Sequence, residues 1–131
     1  MSTPLILRFP VRFRDIDVMG HVNNAVYFTY METARTEYWM RLFGSWDPRG
    51  ISFIVAHAEC DFKTAAKLGD EIEISVWTSS IGNTSFVWNY EMKNAKTGEV
   101  IAVGKTIQVY FDYRSNRSLP VPEDVRKKLL Q

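Results

Sequence analysis

From Leu5 to Phe13, apolar residues alternate with other residues, apart from Ile6. The apolar positions are Leu5, Leu7, Phe9, Val11 and Phe13. A period of two is typical of a β-strand, whose successive side chains point to opposite faces. Because Pro10 lacks a backbone N–H, we expect this strand to lie at the edge of a sheet or to contain a bulge.

From Asn23 or Asn24 the apolar residues recur at steps of three and four, which predicts an amphipathic helix. Its apolar stripe consists of Tyr27, Met31, Ala34, Tyr38 and Leu42, widened by Phe28, Trp39 and Phe43. Either asparagine is suited to cap the first turn. Gly44 and Pro48 are expected to end the helix, since glycine is common just after a last turn and proline cannot continue it.

Alternation returns after Gly50 and predicts four further strands. Their apolar positions span 56–62, 72–76, 86–92 and 101–111. Short turn sequences that contain glycine separate them, so neighbouring strands are predicted to pair as antiparallel hairpins. Pro122 and Glu123 then open a short terminal helix that ends near Leu130.

One long helix cannot cover both faces of a five-stranded sheet. The order of elements therefore predicts an α+β domain in which an antiparallel sheet wraps around one central helix. The small side chains of Ala56, Ala58 and Cys60 would let the helix lie close to the sheet. The outer face is expected to carry Trp77, Val87 and Tyr110. Apolar residues on that face, together with exposed edge strands, predict an oligomer.

Length, charge and cysteine usage narrow the function classes. The 131 residues fit one domain spanning 1–131. The net charge of +1 gives no bulk attraction to nucleic acid or to an anionic membrane. No apolar run approaches the roughly 20 residues of a membrane helix, and the start of the chain does not resemble a signal peptide. A single cysteine, Cys60, excludes an internal disulfide and favours a cytoplasmic location.

A polar stretch, DIDVMGHVNNAVY, lies between the first strand and the long helix. A helix start presents unpaired N–H groups and a partial positive charge, so the N–H of Asn24 is suited to bind an oxyanion. Gly20 allows a sharp turn before it. The carboxylate of Asp17 could take a proton from water or attack a carbonyl itself. These parts suit acyl transfer, although aspartate and asparagine before a helix also serve simply as caps and turn formers.

The whole string from Asp17 to Tyr27, preceded by Arg12-Phe-Arg-Asp, resembles the signature of hot-dog-fold acyl-CoA thioesterases of the 4-hydroxybenzoyl-CoA thioesterase group. Its His-Val-Asn-Asn segment is also similar to acyl-ACP thioesterases. The resemblance continues through Glu32-Thr-Ala-Arg in the helix and through the segment 61–70, so it covers most of the chain. It departs at Ala65, where many relatives carry proline.

The resemblance implies a hot-dog fold and the hydrolysis of an acyl-CoA or acyl-ACP thioester to a free acid and a thiol. Asp17 would act as general base or nucleophile, and the backbone N–H of Asn24 would polarise the thioester carbonyl. His21 would make a polar contact near the acyl group. Because the pocket of this family lies between subunits, a homodimer or homotetramer is expected.

The residues expected to bind substrate are Asn23, Tyr27, Tyr30, Met31, Lys63 and Lys67. Asn23 would cap the helix or hold a water molecule, and the aromatic residues and methionine would line the acyl slot. The lysines would meet the phosphates of coenzyme A, although exposed lysines more often only solubilise a surface. No cofactor is expected, because coenzyme A enters only as part of the substrate or product.

Other constellations carry less chemistry. His57, Glu59 and Asp61 share one face of a strand but stand about 6.5–7 Å apart in steps of two, so no metal site is expected. Cys60 is predicted to be a small core residue. Two other functions stay open: an acyl-thioester binding or sensor module without hydrolysis, and a hydroxyacyl-thioester dehydratase that would need His21 as its base.

Overall fold

The structure is a computed structural model and describes residues 2–46 and 50–131. Its strands are β1 Leu5–Pro10, β2 Ile51–Phe62, β3 Glu71–Ile81, β4 Ser85–Asn94, β5 Val100–Asp112 and β6 Arg117–Ser118, and its helices are α1 Asn24–Phe43 and α2 Glu123–Leu129. Helix α1 ends as predicted at Gly44, which adopts a left-handed φ of 73°. The predicted stop at Pro48 lies outside the described residues.

The strands form one antiparallel sheet in the order β1-β3-β4-β5-β2. Hairpins join β3 to β4 and β4 to β5, which confirms the predicted antiparallel five-stranded sheet. The structure adds β6, a two-residue strand that pairs with the end of β5 and that the sequence did not predict.

The sheet curves around α1, because both of its edges and its centre contact the same helix. Phe9 of edge strand β1 packs against Tyr30, with ring centroids 5.0 Å apart. Phe53 of the opposite edge strand β2 packs against Trp39, also at 5.0 Å. In the centre, Trp88 of β4 lies 5.1 Å from Tyr38. The predicted hot-dog architecture, a sheet wrapped around one long helix, is therefore confirmed.

The orientation of β5 differs from the prediction. Tyr110, expected on the outer face, is buried and shares its face with Gly104, Thr106 and Gln108. The more apolar alternate positions, such as Val103 and Ile107, lie on the outer face and are only half-buried. Periodicity identifies residues that share a face. It does not identify the face that meets the helix, and in β5 small and polar residues occupy that face.

Strand β2 contains a bulge that changes which of its residues face the helix. Ala56 has no partner in the register between Val55 and His57. Ala58 and Cys60 lie on the helix side, as predicted, whereas Ala56 is exposed at the bulge, so its predicted contact with the helix is wrong. An extra residue in one strand shifts the alternation of every residue after it.

The first strand is shorter than its alternating pattern predicts. It ends at Pro10, and Phe13–Asp15 forms a single 3₁₀ turn. Phe13, expected to continue the apolar face of the strand, is 83% exposed. The turn redirects the chain toward the start of α1, where the predicted chemistry lies.

Candidate active site

A narrow hairpin joins β1 to α1. At its base the backbone N–H of Asn23 donates to the carbonyl of Asp15 at 2.9 Å. Near its tip the N–H of Asp17 donates to the carbonyl of His21 at 2.8 Å, and the N–H of Gly20 donates back to the carbonyl of Asp17 at 3.0 Å. Gly20 has a φ of 83°, which favours glycine. The hairpin therefore places Asp17 and His21 opposite each other.

The start of α1 is capped by Asn23, as predicted. Its side-chain oxygen accepts from the N–H of Ala25 at 2.9 Å, and its carbonyl accepts from the N–H of Val26 at 2.8 Å. Asn24 is the first helical residue, and its N–H has no acceptor among the residues that the structure describes. This N–H and the partial positive charge of the helix start suit an anion or a developing oxyanion.

A cleft of about 360 Å³ opens at this junction. It is lined by Asp17, His21, Val22, Asn24, Tyr27, Phe62, Lys63, Thr64 and Ala65. The structure thus brings together the predicted base or nucleophile, the predicted oxyanion donor and one of the two predicted phosphate contacts. Phe62 and Thr64 were not predicted as site residues, although the alternation through Ala58, Cys60 and Phe62 already placed Phe62 on the face expected to meet the helix.

The carboxylate of Asp17 is held by the turn that it precedes. Its Oδ1 accepts a hydrogen bond from the backbone N–H of Met19 at 2.9 Å, the arrangement of an Asx turn. Asp17 is half-buried, whereas Val18 and Met19 at the tip are exposed. Such a carboxylate is fixed in direction yet reaches the cleft.

Tyr27 both lines the cleft and braces its walls. Its ring packs against Phe62 at 5.2 Å, and its hydroxyl accepts from the backbone N–H of Ala66 at 3.3 Å. The carbonyl of Ala66 in turn accepts from the N–H of Val22 at 2.8 Å. Burial raises the pKa of Tyr27, so its hydroxyl stays neutral. The loop after β2 is therefore tied to both the hairpin and the helix.

Asp15 lies beneath the hairpin and is only 2% exposed. Its carboxylate accepts from the backbone N–H of Arg12 at 2.9 Å, from Nη2 of Arg12 at 3.2 Å and from the hydroxyl of Tyr30 at 2.7 Å. Burial alone would raise the pKa of Asp15, but these hydrogen bonds outweigh it and lower the pKa below its ordinary value. Asp15 is thus an ionised residue inside the fold, and sequence reasoning gave it no part in the site.

Tyr30 does not line the cleft, contrary to its predicted place in the acyl slot. Its ring faces β1 and borders an apolar cavity of about 220 Å³ that Phe9, Pro10 and Thr33 also line. Burial, and then the hydrogen bond to Asp15, raise the pKa of Tyr30. The physical reason is its position on the β1 side of α1, whereas the cleft lies on the β2 side.

Three other predicted residues also lie outside the lining of this cleft. Met31 is fully buried one turn further along α1, and Lys67 is exposed at the start of the turn into β3, its backbone bridged to His21. Neither lines the cleft beside Asp17. Asn23 also stays outside the lining, because its side chain is engaged as the helix cap.

Met31 belongs instead to a groove that continues the cleft between α1 and β2. This groove of about 200 Å³ is lined by Phe28, Thr29, Met31, Glu32, Arg35, Val55 and Ala58. Asn24, Phe28 and Arg35 lie on one side of α1, and Phe62 and Ala58 lie on the facing side of β2, so the groove extends the cleft along the helix.

The titratable residues outside the cleft, within the described part of the chain, lack a cluster suited to metal binding. Within residues 2–46 and 50–131 no group of three or more His, Cys, Asp and Glu side chains is placed to hold a metal ion. His57 bonds to Glu59 at 3.0 Å, and both side chains are half exposed. Burial raises the pKa of the Cys60 thiol to about 11, which makes it a poor nucleophile. No described helix is long and apolar enough to cross a bilayer.

Comparisons with known proteins show the family of the chain. The family model of the thioesterase-like superfamily matches residues 11–129. Long-chain acyl-CoA thioesterase FadM of Escherichia coli K12 is 28% identical over 126 residues, covering 92% of this chain and 93% of FadM. Acyl-CoA thioester hydrolase YbgC of Escherichia coli is 32% identical over 101 residues, covering 73% of this chain and 75% of YbgC.

A solved structure extends the comparison. A thioesterase from Thermus thermophilus, complexed with coenzyme A and Zn, superposes with a TM-score of 0.84 and is 36% identical, covering 95% of this chain and 90% of its own. With this coverage the similarity extends over nearly the whole fold. The chain belongs to the thioesterase-like superfamily.

Proposed function

We propose that the protein hydrolyses an acyl-CoA thioester to a free carboxylic acid and coenzyme A at the cleft between the Asp17 hairpin and the start of α1. The observation that carries the proposal is the convergence of the Asp17 carboxylate and the Asn24 N–H on one cleft. Acyl-CoA hydrolases similar to this chain over most of their own length support it.

The thioester carbonyl would accept a hydrogen bond from the N–H of Asn24. Charge that develops on this oxygen is stabilised by that N–H and by the partial positive charge of the helix start. Asp17 either removes a proton from the attacking water or attacks the carbonyl carbon itself. In both routes the tetrahedral intermediate collapses, the C–S bond breaks, and the thiolate of coenzyme A leaves and takes up a proton. In the second route water then hydrolyses the acyl-Asp17 anhydride to release the acid.

The acyl group would run along the groove between α1 and β2. The side chains there are largely apolar, with Phe28, Met31, Val55 and Ala58 in the lining. Tyr30 has no contact with this path because it lies on the other side of α1. Glu32 and Arg35 add charge further along, so an acyl group with a polar substituent fits the far end as well as an aliphatic one.

A second copy of the chain would close this groove. In the single chain the groove is open along edge strand β2, where Ile54 is 42% and Val55 36% exposed. Exposed apolar edge strands are commonly covered by another chain. A homodimer or homotetramer is therefore part of the proposal, as is a cytoplasmic location, which rests on the single cysteine.

The thiol carrier is proposed to be coenzyme A in preference to an acyl carrier protein. Lys63 lines the cleft, where its ammonium would meet a phosphate of coenzyme A. An acyl carrier protein is the alternative. It would cover the exposed side chains of Val18 and Met19 at the mouth of the cleft with its own surface.

Replacement of Asp17 by Asn tests the chemistry. Thiol release from short, medium and long acyl-CoAs should fall by about 10² to 10⁴ in kcat, with the fold unchanged by circular dichroism. Asp124→Asn, an exposed carboxylate in α2, is the matched control and should keep wild-type turnover. Near-normal thiol release by the Asp17→Asn variant would remove Asp17 from the mechanism.

The same acyl-CoA incubations, followed also for binding and for an enoyl product, separate the alternatives. Tight binding of acyl-CoA by the wild-type protein without thiol release would indicate a sensor module. Formation of an enoyl product from a hydroxyacyl-CoA would indicate a dehydratase that uses His21. Either result contradicts the hydrolase proposal.

A further inference from the structure

The hairpin that carries Asp17 is attached to the rest of the protein mainly at its base. There the carbonyl of Asp15 accepts from Asn23, and the N–H of Val22 donates to Ala66. The tip extends toward solvent, since Val18 is 99% and Met19 76% exposed. The direction in which the tip points therefore depends on how the base is held and on the backbone bridge between His21 and Lys67.

We propose that Asp15 and Tyr30 are positioning residues, which set the place of the Asp17 carboxylate relative to the Asn24 N–H. The proposal rests on the proposed function, because it concerns how the same reaction is aligned. The hydroxyl of Tyr30 donates to Oδ2 of Asp15 at 2.7 Å, and this bond links the base of the hairpin directly to the second turn of α1.

The link joins the two halves of the site. Asp15 stands two residues before Asp17, a distance of at most about 7 Å along the chain, so a shift at Asp15 is passed to Asp17. Tyr30 stands on the same rigid helix whose first N–H is that of Asn24. The Tyr30–Asp15 hydrogen bond thus holds the base or nucleophile to the oxyanion donor, in addition to the backbone bond from Asn23 to Asp15 at the base of the hairpin.

The surroundings of Tyr30 indicate that the hydrogen bond to Asp15 restrains the position of the ring. An apolar cavity of about 220 Å³ lies beside the ring, lined also by Phe9, Thr29 and Thr33. The ring packs against Phe9 and Tyr27, but the side that borders the cavity is not closely packed. The hydrogen bond to Asp15 supplies the missing restraint.

A carboxylate is required at position 15. Its oxygens accept from two groups of Arg12 and from the hydroxyl of Tyr30. An asparagine has nearly the same shape, but its amide nitrogen is a donor and would face one of these donors. Asp15→Asn therefore loosens the same link that Tyr30→Phe removes, although the two substitutions act on opposite partners.

Tyr30→Phe is the main test, because it removes one hydroxyl and keeps the ring. We expect kcat for acyl-CoA hydrolysis to fall about ten-fold or more with KM changed less than about two-fold, since small misplacements of reacting groups lower turnover steeply. The matched control is Tyr38→Phe on the same helix. It removes a hydroxyl that is hydrogen-bonded to Ser2 at 2.6 Å, away from the cleft, and should keep wild-type kcat.

The double variant Asp15→Asn with Tyr30→Phe should be little worse than Asp15→Asn alone, because both remove one link. The proposal is overturned if Tyr30→Phe keeps kcat within about two-fold of wild type. It is also overturned if Tyr38→Phe lowers kcat to the same degree, which would mean that any loss of stability is enough.

A second measurement does not depend on activity. Hydrogen exchange of the backbone N–H groups of Asp17 and Gly20, both bonded within the hairpin, should be faster in Tyr30→Phe and unchanged in Tyr38→Phe. If the wild-type protein releases no thiol, the proposed function fails while this exchange result still decides the link. Unchanged exchange in Tyr30→Phe would overturn the positioning role by itself.

Discussion

Gly104 of β5 lies directly beneath Met31 of α1. A Cβ atom at position 104 would stand 2.7 Å from the Sδ atom of Met31 and 3.2 Å from the carbonyl oxygen of Glu59. Met31 is fully buried, so its side chain has little freedom to move aside. Close approach of helix and sheet therefore depends on Gly104, which the sequence did not indicate; of the predicted Ala56, Ala58 and Cys60, only Ala56 does not face the helix.

Replacement of Gly104 by Ala should destabilise the protein by about 1–3 kcal/mol in urea unfolding, the usual cost of overpacking a core. A loss of stability would point to the contact with Met31, because in a strand without such a contact alanine is less destabilising than glycine. The double variant Gly104→Ala with Met31→Ala should lose less stability than the sum of the losses of the two single variants, since the truncated side chain at position 31 leaves space for the new Cβ atom. A Gly104→Ala variant as stable as wild type would contradict the close contact.

Lys63 and Lys67 offer a matched pair for the coenzyme A contact, since only Lys63 lines the cleft. Lys63→Ala should raise KM for acyl-CoA up to about five-fold, which corresponds to the roughly 1 kcal/mol or less of an exposed ion pair, with kcat nearly unchanged. Lys67→Ala should leave KM near wild type. The difference should shrink at high ionic strength, because salt screens the phosphate. Equal effects of both substitutions would rule out a specific role for Lys63.

The elements that sequence predicted well are those with one clear period. The stripe through Tyr27, Met31 and Tyr38 is buried as expected, and so are the alternating positions of β3 and β4. The pattern from Asp17 to Asn24 also indicated the turn and the helix start at the correct places along the chain. Local chemistry such as a cap or a glycine turn depends on few neighbours, so sequence can show it.

Tertiary packing decided what sequence missed. Tyr27 and Tyr30 are three residues apart on one broad apolar stripe, yet Tyr27 meets Phe62 of β2 and Tyr30 meets Phe9 of β1. No periodicity separates two such sides of a helix, because the separation comes from the strands that pack there. The bulge at Ala56 had the same effect on β2, since it reversed the alternation without leaving a signal in composition.

The sequence suggested that Asp15 caps a turn or pairs with Arg12 or Arg14, and the pairing with Arg12 is confirmed, but its burial and its bond to Tyr30 were missed for a related reason. As part of an extended strand it would share a face with Asp17. The 3₁₀ turn Phe13–Asp15 instead rotates its side chain inward to Tyr30. A buried carboxylate with this many partners is recognisable only when the donors from Arg12 and α1 are seen together.

The lowered pKa of Asp15 predicts a specific pH dependence of stability. The unfolded chain has an ordinary aspartate pKa of about 3.9 and so binds a proton at a higher pH than the folded protein does. The stabilisation from ionised Asp15 is therefore complete above that ordinary value and is lost as the pH falls through the lowered pKa of the folded state.

Free energies of unfolding from urea titrations should show the largest advantage of wild type over Asp15→Asn above about pH 5, with the gap narrowing steadily on acidification. Tyr30→Phe removes a donor to the same carboxylate. The free energy of unfolding of wild type should exceed that of Tyr30→Phe by less than it exceeds that of Asp15→Asn, and this difference should narrow over the same pH range. A gap that does not change with pH would mean that Asp15 is not held as the ion that its hydrogen bonds to Arg12 and Tyr30 require.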